Sequence, residues 1–337
     1  MSQFDVAPGV HALYKKNETN DIFRLTYVFD TGTERDPALN LAFDYISYLG
    51  TEALTAEQMA SEMYDIACSF SLGAGTTQSS ITVSGLSENM GKAIDLVEQL
   101  IAGALPDEAI LANLKADMIK RRADSKLNQQ SNFSAMQRYV FYGPEFIRRT
   151  TLDNPSLEAL TSPELLSKVR ELMGKQHEVL YYGPMSEKEF TATLAEHHKT
   201  AAELQPLEKI YSTPQPTDRA KVVLAQYDAK QLYYLQYSNR GELFDVKTDP
   251  EINLYNEYFS GGMNSICFQE MREARGLAYS AYAMLSKPGN LKSPYMFYAF
   301  IATQNDKMRQ AIEAFDSIIN DMPEWEAAFA IAKEAML

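Results

Sequence analysis

The feature that most constrains this chain is an internal repeat. Asp36-Pro-Ala-Leu-Asn-Leu-Ala-Phe-Asp-Tyr45 and Asp249-Pro-Glu-Ile-Asn-Leu-Tyr-Asn-Glu-Tyr258 share the pattern D-P-x-x-N-L-x-x-x-Y. From Asp36 to Asp249 the offset is 213 residues. Each copy follows a strand-like segment and precedes glycine, at Gly50 and at Gly261-Gly262. A repeat of this period implies one supersecondary unit used twice. The 337 residues then hold one complete unit and, after 213, only 124 residues of a second. Ending in Glu-Ala-Met-Leu337, the chain is expected to stop inside a helix.

Local patterns support an α+β class with two repeated α/β units, each a mainly antiparallel sheet packed with helices. Ile22–Phe29 and Ser79–Leu86 read as strands, rich in β-branched and aromatic residues or alternating in polarity. Asp36-Pro37 opens a helix through Leu41, Tyr45 and Tyr48. Thr55-Ala-Glu-Gln58 and Ser186-Glu-Lys-Glu189 are capping boxes. The first predicts a helix with Met59, Met63, Ile66 and Phe70 on one face. Ser87 caps a helix with Met90, Ile94, Val97 and Ile101 inward. Pro106 suits the first turn of another, which carries Lys120-Arg-Arg122 near its end, where cations complement the helix dipole. Gly143-Pro144 is expected to stop a Tyr-rich helix, and Ser162-Pro163 to start one that ends at Gly174. Glu178–Tyr182 reads as a strand. The proline-bearing stretch 205–217 reads as a linker between a first unit at 1–204 and a second at 218–337. Val222–Tyr227 and Gln231–Tyr237 are expected to be strands of the second sheet.

Charge and composition exclude several classes. The net charge of −14, from 45 acids against 31 bases, argues against nucleic-acid binding. No apolar run is long enough to cross a membrane, and the opening residues lack a signal-peptide pattern. A soluble protein is expected, with its compartment undetermined. The two cysteines, Cys68 and Cys267, sit in helix-like apolar patterns and read as buried free thiols. His11 and His177 are isolated and flank strands. His197 and His198 are adjacent on a helix and point to different faces, so they cannot chelate together. No His-x-x-Glu-His or His-x-x-x-His occurs, and no Gly-x-Ser-x-Gly elbow. Gly261-Gly-Met-Asn-Ser265 lacks the Lys-Ser/Thr ending of a phosphate loop.

One segment stands out chemically. Phe268-Gln-Glu-Met-Arg-Glu-Ala-Arg-Gly-Leu-Ala-Tyr279 is a helix with charges of alternating sign that ends at Gly276 and leaves through a phenol. Surface ion pairs would explain Glu270, Arg272, Glu273 and Arg275 equally well. What raises the segment is Tyr279 opening a strand-like run with Arg272 a turn or two behind it. An arginine and a phenol held at a glycine turn can grip a peptide carbonyl or an oxyanion.

Gly261 through Tyr279, taken whole, resembles the signature of the pitrilysin and insulin-degrading enzyme family of zinc metallopeptidases. A Gly-rich turn, Phe-Gln-Glu, an Arg and Gly-Leu-x-Tyr occur there in this order, and the family repeats an α/β unit of this length. The resemblance covers the whole chain. It implies that Arg272 and Tyr279 contact the substrate backbone and support the tetrahedral intermediate opposite a zinc site, with Arg275 a weaker candidate. It also implies an inverted zinc motif a few residues before a Gly-Thr. Counting back from Gly50-Thr51 puts Leu41, Asp44 and Tyr45 there, which cannot hold zinc. No histidine lies between His11 and His177 to rescue the motif in another register. The first unit is thus the degenerate copy. The resemblance implies no metal or other cofactor in this chain, zinc in a partner half, and peptides as substrates. The chain reads as the non-zinc half of a zinc endopeptidase. The competing readings are a separately encoded zinc-free subunit of a heterodimeric peptidase and a non-catalytic structural relative.

Overall fold

Alternation decides where the first sheet buries its side chains. In the strand Ile22–Phe29, Phe23, Leu25, Tyr27 and Phe29 are all buried, while Ile22 and Arg24 face solvent. Successive side chains of a strand point to opposite faces, so one face of this strand is core along its whole length. The computed structural model describes residues 1–337. It divides into two units, Met1–Ala123 with Phe146–Ile210, and Asp124–Glu145 with Tyr211–Leu337.

The first unit is a six-stranded sheet with helices. Its strands are β1 (Ser2–Ala7), β2 (Val10–Lys16), β3 (Ile22–Phe29), β4 (Cys68–Ala74), β5 (Ser79–Leu86) and β6 (His177–Gly183), in the order β1-β2-β6-β3-β5-β4. All neighbours are antiparallel except β2 and β6. Among the helices, α1 (Leu39–Ile46), α2 (Ala56–Asp65), α3 (Met90–Gly103), α4 (Glu108–Ser125), α5 (Gln129–Thr150), α6 (Asn154–Ala159), α7 (Ser162–Leu172) and α8 (Glu187–His197) follow in chain order. The side chains of α1, α3 and α7 join one apolar core with β3, β5 and β6.

Helix starts obey local chemistry. Both expected capping boxes form, at Thr55–Gln58 and Ser186–Glu189, and a third forms at Thr161–Glu164. Ser87 does not cap α3: it lies in a 3-10 turn, and its buried hydroxyl has no partner. Helix α2 ends at Asp65 rather than running through Phe70. Ala67 adopts φ +50, which an α-helix cannot continue through. Cys68 and Phe70 consequently belong to β4, paired with Gly85 and Val83, so the helix-like pattern around Cys68 is corrected. Gly143, at φ +80 and ψ 174, breaks the helical run of α5 as expected, and Pro144 opens the segment that follows.

The second unit repeats half of this architecture. Its strands are β7 (Gln231–Ser238), β8 (Ser280–Ser286) and β9 (Met296–Gln304), in the order β7-β9-β8, antiparallel throughout. That is the order β3-β5-β4 of the first unit. Helices α9 (Asp249–Ser260), α10 (Met308–Asn320) and α11 (Glu326–Ala335) stand where the first unit has α1, α3 and α4. Segment Asp124–Glu145, read from sequence as part of the first unit, packs here. The Phe133 ring meets Tyr233 at 5.4 Å and Phe300 at 5.5 Å. Val222–Tyr227 is not a strand; Val222 and Leu224 are 81% and 89% exposed. Its counterpart β2 pairs with β6, and no element stands in β6's place beside β7. The segment has strand composition but no ladder to join.

The repeat tyrosine does the same work twice. The Tyr45 hydroxyl accepts the Asp107 backbone N–H at 2.7 Å and reaches the Ser162 hydroxyl at 2.7 Å. The Tyr258 hydroxyl accepts the Trp325 N–H at 2.7 Å and donates to the Pro323 carbonyl at 2.7 Å. Each ties the first helix of its unit to the start of a later one, α1 to α4 and α9 to α11. Tyr45→Phe leaves the half-buried Asp107 N–H and the buried Ser162 hydroxyl short of a partner. It should lower the stability of the first unit by about 1–3 kcal/mol, read as a shifted urea midpoint with unchanged slope.

His177, isolated in sequence, meets His198 in the core. His177 Nε2 lies 3.0 Å from His198 Nε2, and His198 Nδ1 lies 2.5 Å from the Glu98 carboxylate. His177 Nδ1 donates to the Lys175 carbonyl at 2.8 Å, so its Nε2 accepts from His198. Burial, helped by the neighbouring His198, pushes the His177 imidazole down to about 4. The unfolded chain therefore binds a proton that the folded chain refuses. This contribution is whole above pH 6.5 and is lost as pH falls to about 4. Denaturant titrations should lose up to about 3 kcal/mol across that window, and His177→Phe should flatten this part of the curve.

Candidate functional site

The site is built from a glycine turn, a π-helical turn and the first residues of β8. Gly261 ends α9 with its Cα so close to Glu257 that a Cβ would sit 2.6 Å from the Glu257 Cα. Ser265 then starts a new helical segment. Its hydroxyl donates to the Gly262 carbonyl at 2.8 Å and accepts the Phe268 N–H at 3.4 Å. Residues Phe268–Ala274 form a π-helical turn rather than the α-helix expected from sequence. Such turns are rare and frequent at functional sites.

Met271 anchors that turn, wholly buried in the second unit's core. Its carbonyl accepts both the Leu277 and the Ala278 N–H, at 2.9 and 3.2 Å. Gly276 makes the reversal possible with φ +56, and its N–H donates to the Arg272 carbonyl. The Lys307 ammonium closes the Gly276 carbonyl at 3.2 Å. Tyr279 N–H joins the sheet edge by donating to the Ala302 carbonyl at 3.0 Å. The backbone is thus fixed on both sides of the turn while the side chains stay outside.

This backbone brings Arg272 and Tyr279 together. The Arg272 guanidinium lies 4.9 Å from the Phe268 ring centroid and 5.9 Å from that of Tyr279. Cation–π attraction between two rings holds the guanidinium plane without using its N–H donors. Its carboxylate neighbour is weak: Glu273 lies at 3.7 Å from Nε. Arg272 is 51% and Tyr279 74% exposed, so both present donors to solvent. Arg275 is used differently. Its Nε and a terminal nitrogen both bond Glu270 Oε2, at 3.1 and 2.8 Å. Phe268 was quoted in the motif without a role; its i, i+4 spacing to Arg272 was the signal available for the stack.

The positions counted for zinc do not fit the metal. Leu41 and Tyr45 are buried in the core of the first unit, and the Tyr45 hydroxyl is spent on Asp107 and Ser162. Burial raises the Asp44 carboxyl, against the pull of Arg121, which is the wrong direction for a ligand. No group of three or more His, Cys, Asp or Glu side chains in the structure is arranged to hold a metal ion.

Comparison with known proteins agrees with these features. Residues 172–336 match the family model described as the peptidase M16 inactive domain. This stretch, 172–336, is similar to the inactive domains of M16 peptidases. This is the pitrilysin-type assignment expected from Gly261–Tyr279. An uncharacterized zinc protease of Rickettsia felis is 24% identical over 298 residues, spanning 83% of this chain and 67% of the relative. The peptidase M16 inactive domain from Pseudomonas fluorescens superposes with a TM-score of 0.81 at 17% identity, covering 99% of this chain and 82% of that one. The periplasmic protease PqqL from Escherichia coli gives 0.80 at 14% identity, covering all of this chain and 39% of that protein. The mixed α/β architecture is therefore that of M16 inactive domains. No helix is long and apolar enough to cross a membrane.

The two glycines of the M16 motif should respond differently to alanine. At Gly276 a Cβ meets nothing, so Gly276→Ala costs only the left-handed backbone, about 1–2 kcal/mol. Gly261→Ala must move the α9 backbone and should cost more. Urea melts followed through Trp325 fluorescence rank the two.

Proposed function

We propose that this chain is the non-zinc half of a zinc endopeptidase that cleaves peptides in a closed chamber. Arg272 and Tyr279 face the substrate there. The observation that carries the reading is their pairing: two exposed donors on a rigid turn, with the guanidinium braced by Phe268 and its nearest carboxylate, Glu273, at 3.7 Å, beyond hydrogen-bond distance. Such a pair fits a carbonyl oxygen that gains negative charge. Arginine offers fixed N–H donors and the phenol an O–H. Donors aimed at developing charge are worth several kcal/mol in a water-poor site. Zinc, carried by the partner half, would polarise the carbonyl and activate water there. This chain's part is to hold the peptide backbone and to meet the oxyanion.

The relatives support a shared role. The zinc proteases of Rickettsia extend beyond the portion this chain matches, and residues 172–336 match the M16 inactive domain. Partners of this chain would be a polypeptide with the His-x-x-Glu-His motif and flexible peptide substrates.

Reconstitution tests it. The chain alone should not cleave a fluorogenic peptide, and mixing with a family polypeptide that carries His-x-x-Glu-His should produce cleavage. Arg272→Ala and Tyr279→Phe should each lower kcat by about 10²-fold or more with zinc content unchanged. Arg275→Ala should stay near wild type, because its guanidinium is held by Glu270. Unchanged kcat in both Arg272→Ala and Tyr279→Phe would refute the role.

A further inference from the structure

The turn that carries Arg272 and Tyr279 is tied down from the end of β9, and one of those ties breaks the pattern of its strand. Phe297, Ala299 and Ile301 put their side chains into the core of the second unit. Alternation places Thr303 on the same face, where it is 2% exposed. Valine has the same shape without the hydroxyl, and a buried hydroxyl is costly unless it is paired. Here it is paired: the Thr303 hydroxyl donates to the Leu277 carbonyl at 2.6 Å. Two more ties run from the same segment. The Ala302 carbonyl accepts the Tyr279 N–H at 3.0 Å, and the Lys307 ammonium donates to the Gly276 carbonyl at 3.2 Å. From the other side, the Met271 carbonyl accepts the Leu277 and Ala278 N–H groups. The Leu277–Ala278 peptide is thus held at both ends, and without the Thr303 hydroxyl it keeps only its N–H bond and is free to tilt.

The first unit separates the ties of the scaffold from the one added here. Its turn before β4 has Ala67 at φ +50, where the second unit has Gly276 at φ +56. A 3-10 turn, Ser87–Asn89, follows β5 as Asn305–Lys307 follows β9. Asn89 ends the first of these, and its side-chain amide donates to the Ile66 carbonyl at 2.8 Å. Lys307 ends the second and bonds Gly276 in the same manner. That tie is common to both units. The tie from Thr303 is not: its place, two residues before the 3-10 turn, holds Gly85 in the first unit, with no side chain to bond anything. The corresponding turn there, Tyr64-Asp-Ile-Ala-Cys68, carries no arginine. The extra hydroxyl occurs only where the turn has an arginine and a phenol to aim.

We infer that Thr303 is a positioning residue for the Arg272–Tyr279 pair, resting on the substrate role proposed for that pair. Its hydroxyl bonds neither side chain. It locks the plane of the Leu277–Ala278 peptide, which sets the direction in which the chain leaves the turn at Tyr279 and the distance back to Arg272. Lys307 acts on the peptide before it through a longer bond and a flexible side chain, so its share is smaller. Donors that meet a developing charge lose rate steeply when their geometry loosens, even where binding of the substrate is kept. A hydroxyl buried beneath the turn can therefore govern the rate without reaching the substrate.

The test assays the whole chain with a family polypeptide that carries His-x-x-Glu-His, on a fluorogenic peptide. Thr303→Val should lower kcat about tenfold with KM and zinc content unchanged, and Thr303→Ser should restore it. In a Tyr279→Phe background the same change should cost under about twofold, since the phenol it aims is gone. A hydroxyl needed only for folding would cost the same fraction in both backgrounds. The chain alone gives a second readout: amide exchange of Ala278 and Tyr279 should quicken about tenfold in Thr303→Val, with the amides of α9 unchanged. Wild-type kcat in Thr303→Val, alongside a lowered kcat in Arg272→Ala or Tyr279→Phe, overturns the inference and leaves the role of the pair intact. Equal losses in both backgrounds, or unchanged amide exchange, overturn it as well. Unchanged kcat in both Arg272→Ala and Tyr279→Phe removes the role of the pair and the inference with it. Should Thr303→Val fail to fold, Lys307→Met carries the same test from a half-buried position, with an expected loss of about threefold that Lys307→Arg restores.

Discussion

The hydroxyl of the repeat tyrosine is the interaction on which both units turn. A buried O–H can accept one N–H and donate once, and at Tyr45 and Tyr258 it accepts the N–H that precedes a later helix, α4 in the first unit and α11 in the second. This fixes α1 and α9 over their sheets. It also fixes the fate of the surface where a zinc motif would lie. With Leu41 in the core and the Tyr45 hydroxyl already engaged, α1 is a structural helix. The two units are thus copies of one scaffold that differ in what they expose: the first is packed shut on the α1 side, and the second exposes a turn carrying Arg272 and Tyr279.

Much of the fold was legible in sequence because its rules are local. Strands β3 and β5 announce themselves by alternation, and the capping boxes at Thr55 and Ser186 need only four residues each. The misreadings all required knowledge of distant partners. Phe70 continues the i, i+4 pattern of α2, but Ala67 breaks the helix and β5 claims Cys68–Ala74 as its neighbour. Val222–Tyr227 has the composition of a strand and lacks a ladder. His177 and His198 lie on separate elements, and only the packing of β6 against the end of α8 brings their rings within 3.0 Å.

The Arg272–Tyr279 turn was legible for a different reason. Arg272 and Tyr279 were singled out by an ordered motif, and the geometry gives that motif a physical basis. The π-helical turn, the Met271 anchor and Gly276 together place a guanidinium between two rings. Sequence alone could not separate this from surface salt bridging. The structure separates the two arginines: Arg275 is bound to Glu270, and Arg272 is stacked and left with free donors.

The central claim is that Arg272 and Tyr279 meet the oxyanion formed at a zinc site in the other half. The most direct measurement is a structure of this chain with a His-x-x-Glu-His partner and a phosphinate peptide, whose tetrahedral phosphorus mimics the intermediate. The account predicts a phosphinate oxygen within about 3 Å of the Tyr279 hydroxyl, and the Arg272 guanidinium within hydrogen-bond reach of that oxygen or the adjoining backbone carbonyl. A peptide lying in the site with both side chains turned away, roughly 6 Å or more from it, would contradict the account.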